Sequence, residues 1–172
     1  MDRIEQKLSA TKKPQQVRSR NQQRPTTTTK TTLKRNPSPE NCKLKIGNIC
    51  YFFVISVGED VIYDIAVDSC EKRNADVGLI RDKESYNAIM KYLGKGEMGK
   101  FIWTGIRIDP MTRDVTPADS FIKWYTGSPL TGIEYIYRTN VYLNINYNHR
   151  LRGMGNAPPT REMNGVICEI QI

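Results

Sequence analysis

Two segments in the middle of the chain carry apolar residues at helical spacing. In residues 61–73 the apolar positions fall on one face, which predicts a first helix. A second helix is predicted over residues 82–93, because Asp82 suits the N-cap, apolar residues recur at i, i+3, i+4 and i+7, and Gly94 lies just past the end. The two apolar faces comprise Ile62, Ile65, Ala66 and Cys70, and then Tyr86, Ile89, Met90 and Leu93.

Strand patterns precede and follow these helices. Residues 46–55 predict a hairpin, since Gly47 and Asn48 favour a tight turn and β-branched and aromatic residues follow it. Helices followed by a run of short strands indicate an α+β domain rather than a doubly wound parallel sheet. The stretch from Thr126 to Thr160 has few regular signals, and a loop of that length is usually functional or disordered. The later strands are predicted at Phe101–Ile106, Phe121–Tyr125, Val141–Ile145 and Val166–Ile170.

The positive charge of the chain is concentrated at its N-terminus. The net charge is +8, but residues 1–40 hold ten Lys and Arg against three Asp and Glu, so they carry +7 and residues 41–172 carry only +1. Residues 1–40 also lack aromatic residues, and such a segment cannot bury enough apolar surface to order its backbone. We interpret residues 1–40 as a disordered basic Thr/Pro/Gln-rich tail or stalk, in weak electrostatic contact with polyanions, and residues 41–172 as one folded domain.

The four cysteines do not have the spacing of a metal site. They are separated by 8, 20 and 98 positions, whereas zinc sites use close pairs, and the single histidine, His149, lies in a polar stretch. No nucleophile beside a base and no pair of carboxylates suited to acid–base catalysis stands out. We therefore expect no metal, no cofactor and no enzymatic activity.

A set of motifs occurs in a characteristic order between Cys42 and Ile172. A cysteine hairpin is followed by a helix ending near Cys70, a short strand over residues 75–80 and the second helix. Trp-Thr-Gly-Ile then occupies residues 103–106, Trp124 precedes Gly-Ser-Pro-Leu at residues 127–130, and the closing strand contains Ile-Cys-Glu at residues 167–169. In these features the sequence resembles the C-type lectin-like domain family.

The resemblance implies the C-type lectin-like fold, with two helices, short antiparallel strands, a long irregular loop region and disulfide links. It implies the pairs Cys42–Cys50 and Cys70–Cys168, one of the three pairings that four cysteines allow. It also implies an extracellular location, as a secreted protein or an ectodomain. Since residues 1–20 have no apolar run suited to a signal peptide and later runs are too short to span a membrane, we expect the chain to be a piece of a longer product.

The sequence departs from the sugar-binding members of that family. Those members hold calcium through Glu-Pro-Asn or Gln-Pro-Asp and a later Trp-Asn-Asp, whereas residues 154–157 retain only the asparagine. Glu134 is the only carboxylate from Ser120 to Arg161, and calcium needs six to eight oxygen ligands. The two further cysteines of most members are replaced by Asn140 and, at about its expected place, Thr160, which predicts a more mobile loop.

The long-loop region instead carries tyrosines and basic residues. These types are enriched at interface hot spots, and arginine pairs with sulfate and phosphate groups. Tyr135, Tyr137 and Tyr142 are equally compatible with ordinary strand positions, while Trp103 and Trp124 are expected in the core. The predicted ligand-binding residues are Tyr137, Arg138, Tyr147, His149, Arg150, Arg152 and Arg161.

The leading interpretation is therefore a recognition module that binds a protein or glycan ligand through its long-loop face, independently of calcium. Two alternatives remain open on the sequence. One is a calcium-dependent, carbohydrate-binding lectin, and the other is a binder of nucleic acid or anionic surfaces through the basic tail. No particular oligomeric state is predicted.

Deleting residues 1–40 tests this division of charge. We expect the melting temperature to change little and most salt-sensitive retention on heparin to be lost, because basic residues that release counterions make polyanion binding steeply dependent on salt. The measurements are thermal unfolding and heparin elution of the full-length and shortened chains. Undiminished heparin retention after the deletion would assign the binding to the arginines of the long loop instead.

Overall fold

The computed structural model describes residues 42–172, so the predicted tail, residues 1–40, lies outside the described residues. Two helices, α1 (Tyr63–Glu71) and α2 (Lys83–Leu93), are present in the described part, with 3-10 turns at Ile133–Tyr135 and His149–Leu151. The predicted α+β class is confirmed. The strands are β1 (Leu44–Ile46), β2 (Ile49–Ile55), β3 (Asp76–Val77), β4 (Lys100–Ile108), β5 (Val115–Thr116), β6 (Asn140–Ile145), β7 (Gly153–Ala157) and β8 (Gly165–Gln171).

The eight strands of the described part join one sheet. Its main path runs β1-β2-β8-β4-β6-β7, with β3 paired to β8 and β5 paired to β4. The contact between β4 and β8 is parallel, and the other pairings are antiparallel. The last strand of the chain therefore lies in the middle of the sheet, where it pairs with β2, β3 and β4.

Local sequence signals set the ends of the first elements. Between β1 and β2 the chain turns at Gly47, whose φ of +58° is a conformation that glycine adopts without steric cost. At the start of α2, Asp82 caps the helix by accepting a hydrogen bond from the Ser85 amide at 2.6 Å. That hydrogen bond lowers the pKa of Asp82, because it favours the charged carboxylate. The predicted hairpin and both predicted helices are confirmed.

The two helices pack on opposite faces of the sheet. On β8, Ile167 belongs to a buried cluster with Ile89 and Leu93 of α2, whereas Val166 belongs to a second cluster with Ala66 of α1. Because successive side chains of a strand point to opposite faces, this alternation separates the two clusters. The sheet is thus buried on both sides, and each helix closes one apolar core.

Both tryptophans pack where the sequence predicted. Trp103 is fully buried, and its indole Nε1 donates to the Val61 carbonyl at 2.8 Å. Trp124 is partly buried against the cluster of α2. A buried indole needs a partner for its N–H, and the Val61 carbonyl supplies that partner.

The two disulfides have the pairing that the resemblance implied. Cys42 is bonded to Cys50 across the β1–β2 hairpin, and Cys70 of α1 is bonded to Cys168 of β8, each with a Cα–Cα distance of 5.5 Å. The second bond joins residues 98 positions apart, and the loop-entropy model assigns such a closure about 4–5 kcal/mol. It ties the first helix to the central strand.

Two sequence expectations about the later strands are wrong. Residues 121–125 form no strand, and Trp124 makes only an isolated bridge with Met154, because the apolar side chains of this segment enter the core from a loop. Conversely, the region from Thr126 to Thr160 contains β7 as well as the predicted β6. The sequence of β7, Gly-Met-Gly-Asn-Ala, has no β-branched residue and gave no strand signal. Among residues 42–172, no helix is long and apolar enough to cross a membrane.

An ion pair fixes the segment before α2 to β8. The Glu169 carboxylate accepts hydrogen bonds from both terminal nitrogens of Arg81, at 2.6 and 2.7 Å, and from the Leu79 amide at 2.9 Å. The hydrogen bonds with Glu169 raise the pKa of Arg81 above its usual range. Glu169 is almost completely buried, so its charge depends on these three donors.

Replacing this carboxylate by an amide, Glu169→Gln, should therefore destabilise the fold. We expect the free energy of unfolding to fall by about 2 kcal/mol, the typical range for hydrogen bonds to charged groups. The control is Asp68→Asn, which removes the carboxylate of the exposed Lys72–Asp68 pair and should cost at most about 0.5 kcal/mol. Urea unfolding measures both variants, and equal losses would contradict the role assigned to Glu169.

Candidate ligand-binding cleft

A cleft of about 330 Å³ opens beside β6 and β7, where the long-loop region folds back over the sheet. Strands β4, β6 and β7 each contribute one side chain, and the loops before β6 and after β7 contribute the others. None of the lining residues carries a carboxylate. The lining consists of Phe101, Tyr125, Leu130, Arg138, Tyr142, Ala157, Pro158, Arg161 and Met163.

Aromatic rings form the floor of the cleft. Tyr142 packs edge-on against Phe101, with ring centroids 5.6 Å apart, and its hydroxyl lies 2.9 Å from the hydroxyl of Tyr125. Burial raises the pKa of Tyr142, and the hydrogen bond with Tyr125 raises it further. Both effects favour the neutral phenol, so the floor combines apolar rings with a pair of uncharged hydroxyl groups.

Gly155 of β7 makes room for this pair of tyrosines. A Cβ atom at this position would lie 2.5 Å from Tyr125 Cε1 and 2.6 Å from the Tyr142 hydroxyl oxygen, closer than side chains approach one another. Any other residue would therefore displace both rings. The sequence patterns identified neither Gly155 nor Tyr125 as part of a site, because the hydrophobic periodicity around them does not reveal which loop crosses which strand.

Two arginines lie at the rim of the cleft. Arg138 is held in place by a hydrogen bond from its Nη1 to the Asn156 carbonyl, at 3.1 Å, and its guanidinium lies 5.7 Å from the Tyr135 ring centroid. Arg161 is exposed and has no side-chain hydrogen bond or ion pair within residues 42–172. The charges of both arginines act to lower the pKa of Tyr142 against the larger effect of burial. Both guanidinium groups therefore interact electrostatically with the same hydroxyl group, that of Tyr142.

The other predicted ligand-binding residues lie elsewhere. Tyr147, His149, Arg150 and Arg152 are in the connection between β6 and β7, at the opposite end of β6 from Arg138. At about 3.3 Å per residue, the six residues of β6 separate the two groups by about 20 Å. Tyr137 is 78% exposed and does not line the cleft. Of the predicted set, Arg138 and Arg161 line the cleft and the other five residues do not.

Within that second group, Arg152 makes contacts with other residues of the domain. Its Nε donates to the Asn146 carbonyl at 2.6 Å, and its Nη2 lies 3.3 Å from the Met98 sulfur. These contacts close the connection between β6 and β7. Tyr147, His149 and Arg150 are exposed around it.

Asn156 of β7 joins the two ends of the loop that carries Leu130 and Arg138. Its Oδ1 accepts from the Leu130 amide at 2.8 Å, and its Nδ2 donates to the carbonyls of Leu130 and Arg138 at 2.8 and 2.9 Å. With the hydrogen bond from Arg138 to the Asn156 carbonyl, these contacts form a closed set of four. We refer to Asn156, Leu130 and Arg138 as the asparagine clamp.

Solved structures with similar folds support the fold assignment. The domain is similar to the C-type lectin domain of murine dendritic cell inhibitory receptor 2, solved in complex with N-glycan, at 15% identity and a TM-score of 0.61, covering 78% of this chain and 99% of that one. It is similar to the Ca2+-independent C-type lectin SPL-2 from Saxidomus purpuratus, at 19% identity and a TM-score of 0.60, covering 77% and 92%.

A Ca2+-dependent type II antifreeze protein in its Ca2+-free form is also similar, at 20% identity and a TM-score of 0.60, covering 78% of this chain and 100% of that one. No protein-family model matches the sequence, and no curated protein matches it. The described residues therefore have the C-type lectin-like fold that the sequence motifs indicated.

The residues at the clamp do not fit the calcium ion that this fold family implies. Leu130 offers an apolar side chain, and the polar atoms of the Asn156 side chain are already engaged by backbone groups. The guanidinium of Arg138 adds a positive charge beside them. Within residues 42–172 there is no group of three His, Cys, Asp or Glu side chains that could hold a metal ion. Calcium requires several oxygen ligands, some of them charged, and this set supplies none with a charge.

The variant Asn156→Ala should loosen the loop that the clamp holds. We expect the free energy of unfolding to fall by about 2–3 kcal/mol, because the Leu130 amide and two carbonyls lose their partners. Hydrogen exchange at the Leu130 amide should also become faster. The control is Asn148→Ala, which removes one exposed cap at the Arg150 amide and should cost less than about 1 kcal/mol. Unchanged exchange at Leu130 would show that the clamp does not order the loop.

Proposed function

We propose that the chain is a non-enzymatic, extracellular recognition module that binds a glycan or protein ligand in the cleft bounded by Arg138 and Arg161, without calcium. One observation carries the proposal: two arginines line an aromatic cleft whose lining contains no carboxylate. The planar guanidinium of arginine presents forked donors that bind carboxylate, sulfate or phosphate groups through paired, charge-assisted hydrogen bonds. Here Arg138 uses one N–H donor on the Asn156 carbonyl, and the remaining donors of Arg138 and those of Arg161 are proposed to bind the ligand.

The fold neighbours support recognition rather than catalysis. One of them is a lectin domain solved with an N-glycan, and another is described as a Ca2+-independent C-type lectin. The same fold thus binds a glycan in the first of these proteins and serves a lectin named as independent of calcium in the second. The two disulfides support an extracellular location, since disulfides persist in oxidising environments.

The asparagine clamp supports independence from calcium. A metal that joined Leu130 and Asn156 would have to break hydrogen bonds of 2.8 Å that already join them. The loop is thus connected to β7 by protein groups, and Arg138 keeps its position at the rim through the same contacts. Ligand binding in this cleft needs no ion to order its walls.

Calcium should therefore change neither stability nor binding. We expect millimolar calcium to leave the melting temperature unmoved, because a ligand stabilises the native state by RT ln(1 + [L]/Kd), which is negligible when Kd far exceeds the ligand concentration. We also expect ligands captured by the full-length chain on glycan and protein arrays to be retained in EDTA. A shift of several degrees with calcium, or loss of all captured ligands in EDTA, would support the calcium-dependent alternative.

A further inference from the structure

The chemistry of the cleft identifies the class of ligand that suits it. We propose that its ligand is the acidic terminal residue of a glycan: a pyranose bearing a carboxylate or a sulfate, with the anionic group between Arg138 and Arg161 and the ring against Tyr125. This inference rests on the proposed function, because it concerns the same cleft. Beyond the proposed function, it specifies that the ligand is anionic and that a single sugar residue fills the cleft.

The rim selects an anion. Both guanidinium groups act on the hydroxyl of Tyr142, so they share one region of the cleft, and the lining has no carboxylate to neutralise them. Arg138 uses Nη1 to hold the Asn156 carbonyl, which fixes its plane and leaves further N–H donors. Arg161 has no competing side-chain partner within residues 42–172. Fork-shaped donors of this kind match the paired oxygens of a carboxylate or sulfate.

The floor selects a ring with one apolar side and several hydroxyl groups. Tyr125 is partly buried, and its ring faces the cleft beside Leu130 and Met163. Such a surface suits the C–H face of a pyranose, because it removes apolar area from water. Of the two paired hydroxyls of Tyr125 and Tyr142, one donates to the other, and the acceptor keeps its own hydrogen for a ligand. Sugar hydroxyls can use that donor.

The size of the cleft favours a single sugar residue over a polymer or a protein surface. A volume of about 330 Å³ lies at the lower end of the range for small-molecule sites, which is roughly 300–1,000 Å³. A stable protein interface would need about 800 Å² on each partner, and a nucleic acid would need a longer charged track. The lining provides two cationic side chains, Arg138 and Arg161, rather than a row of them.

The test uses the full-length chain and defined probes. The probes are N-acetylneuraminic acid and glucuronic acid, which bear a carboxylate, glucose 6-sulfate, which bears a sulfate, and uncharged methyl glucoside. A tyrosine-sulfated peptide represents a protein ligand. Binding is measured by isothermal titration calorimetry at physiological salt, and ligand-detected NMR extends the measurement to weak complexes. Comparison of the carboxylate and sulfate probes identifies which anion the cleft prefers.

The decisive variant is Arg161→Gln, because this side chain is exposed and has no hydrogen-bond or ion-pair partner within residues 42–172. We expect it to weaken binding of an acidic sugar about tenfold or more, as loss of a charge-assisted pair does. Arg161→Lys, which keeps the charge but not the fork, should weaken binding by a smaller factor. The matched control, Arg150→Gln, removes the same charge from a residue that does not line the cleft and keeps the backbone carbonyl that Thr126 contacts, so it should leave the affinity within about twofold.

Each contrary result has its own meaning. Equal affinity for methyl glucoside and the acidic sugars, or equal losses in Arg161→Gln and Arg150→Gln, would overturn the acidic-sugar assignment. Binding of the sulfated peptide without any of the sugars would overturn the glycan assignment and leave the proposed function standing. If array ligands bind the wild-type chain but are unaffected by Arg161→Gln, the proposed function fails in its choice of site.

Discussion

The structure depends on the bond between Cys70 and Cys168, which joins the first helix to the strand around which the sheet is built. β8 lies in the middle of the sheet, pairs with three other strands and contributes to both apolar clusters. The residue after Cys168, Glu169, accepts hydrogen bonds from the Arg81 guanidinium and the Leu79 amide, which lie in the segment before α2. Because these contacts converge on β8, both helices and the segment before α2 depend on this strand for their positions.

Much of this fold could be predicted because its signals are local. Asp82 and the apolar spacing after it define α2, and Gly47 with Asn48 defines the first hairpin, without reference to the rest of the chain. The disulfide pairing is different, since four cysteines allow three pairings and only the resemblance to a family selected one. The strand at residues 121–125 could not be corrected from sequence, because its apolar side chains are buried by tertiary contacts rather than by pairing.

The candidate cleft was only partly predictable for a related reason. Arg138 and Arg161 are 23 positions apart in the sequence, and both line the cleft because β6 and β7 are antiparallel, with Asn140 at the start of β6 paired to Ala157 at the end of β7. Arg150, closer to Arg138 along the chain, lies at the turn of that hairpin and is therefore distant in space. A sequence pattern that does not reveal β7 cannot make this distinction. The role of Asn156 was likewise hidden, since a single asparagine gives no indication of the three backbone groups it contacts.

The guanidinium groups at the rim have a consequence for the compartments in which such a domain could hold its ligand. A site built from carboxylates and a metal loses its ligands' charge on acidification, and it releases whatever the metal held. Arginine remains protonated throughout the range in which cells acidify their vesicles, and a sugar carboxylate or sulfate remains ionised over most of that range. An anionic ligand held by Arg138 and Arg161 would therefore stay bound as the pH of a compartment falls. Its release would require a competing ligand or proteolysis.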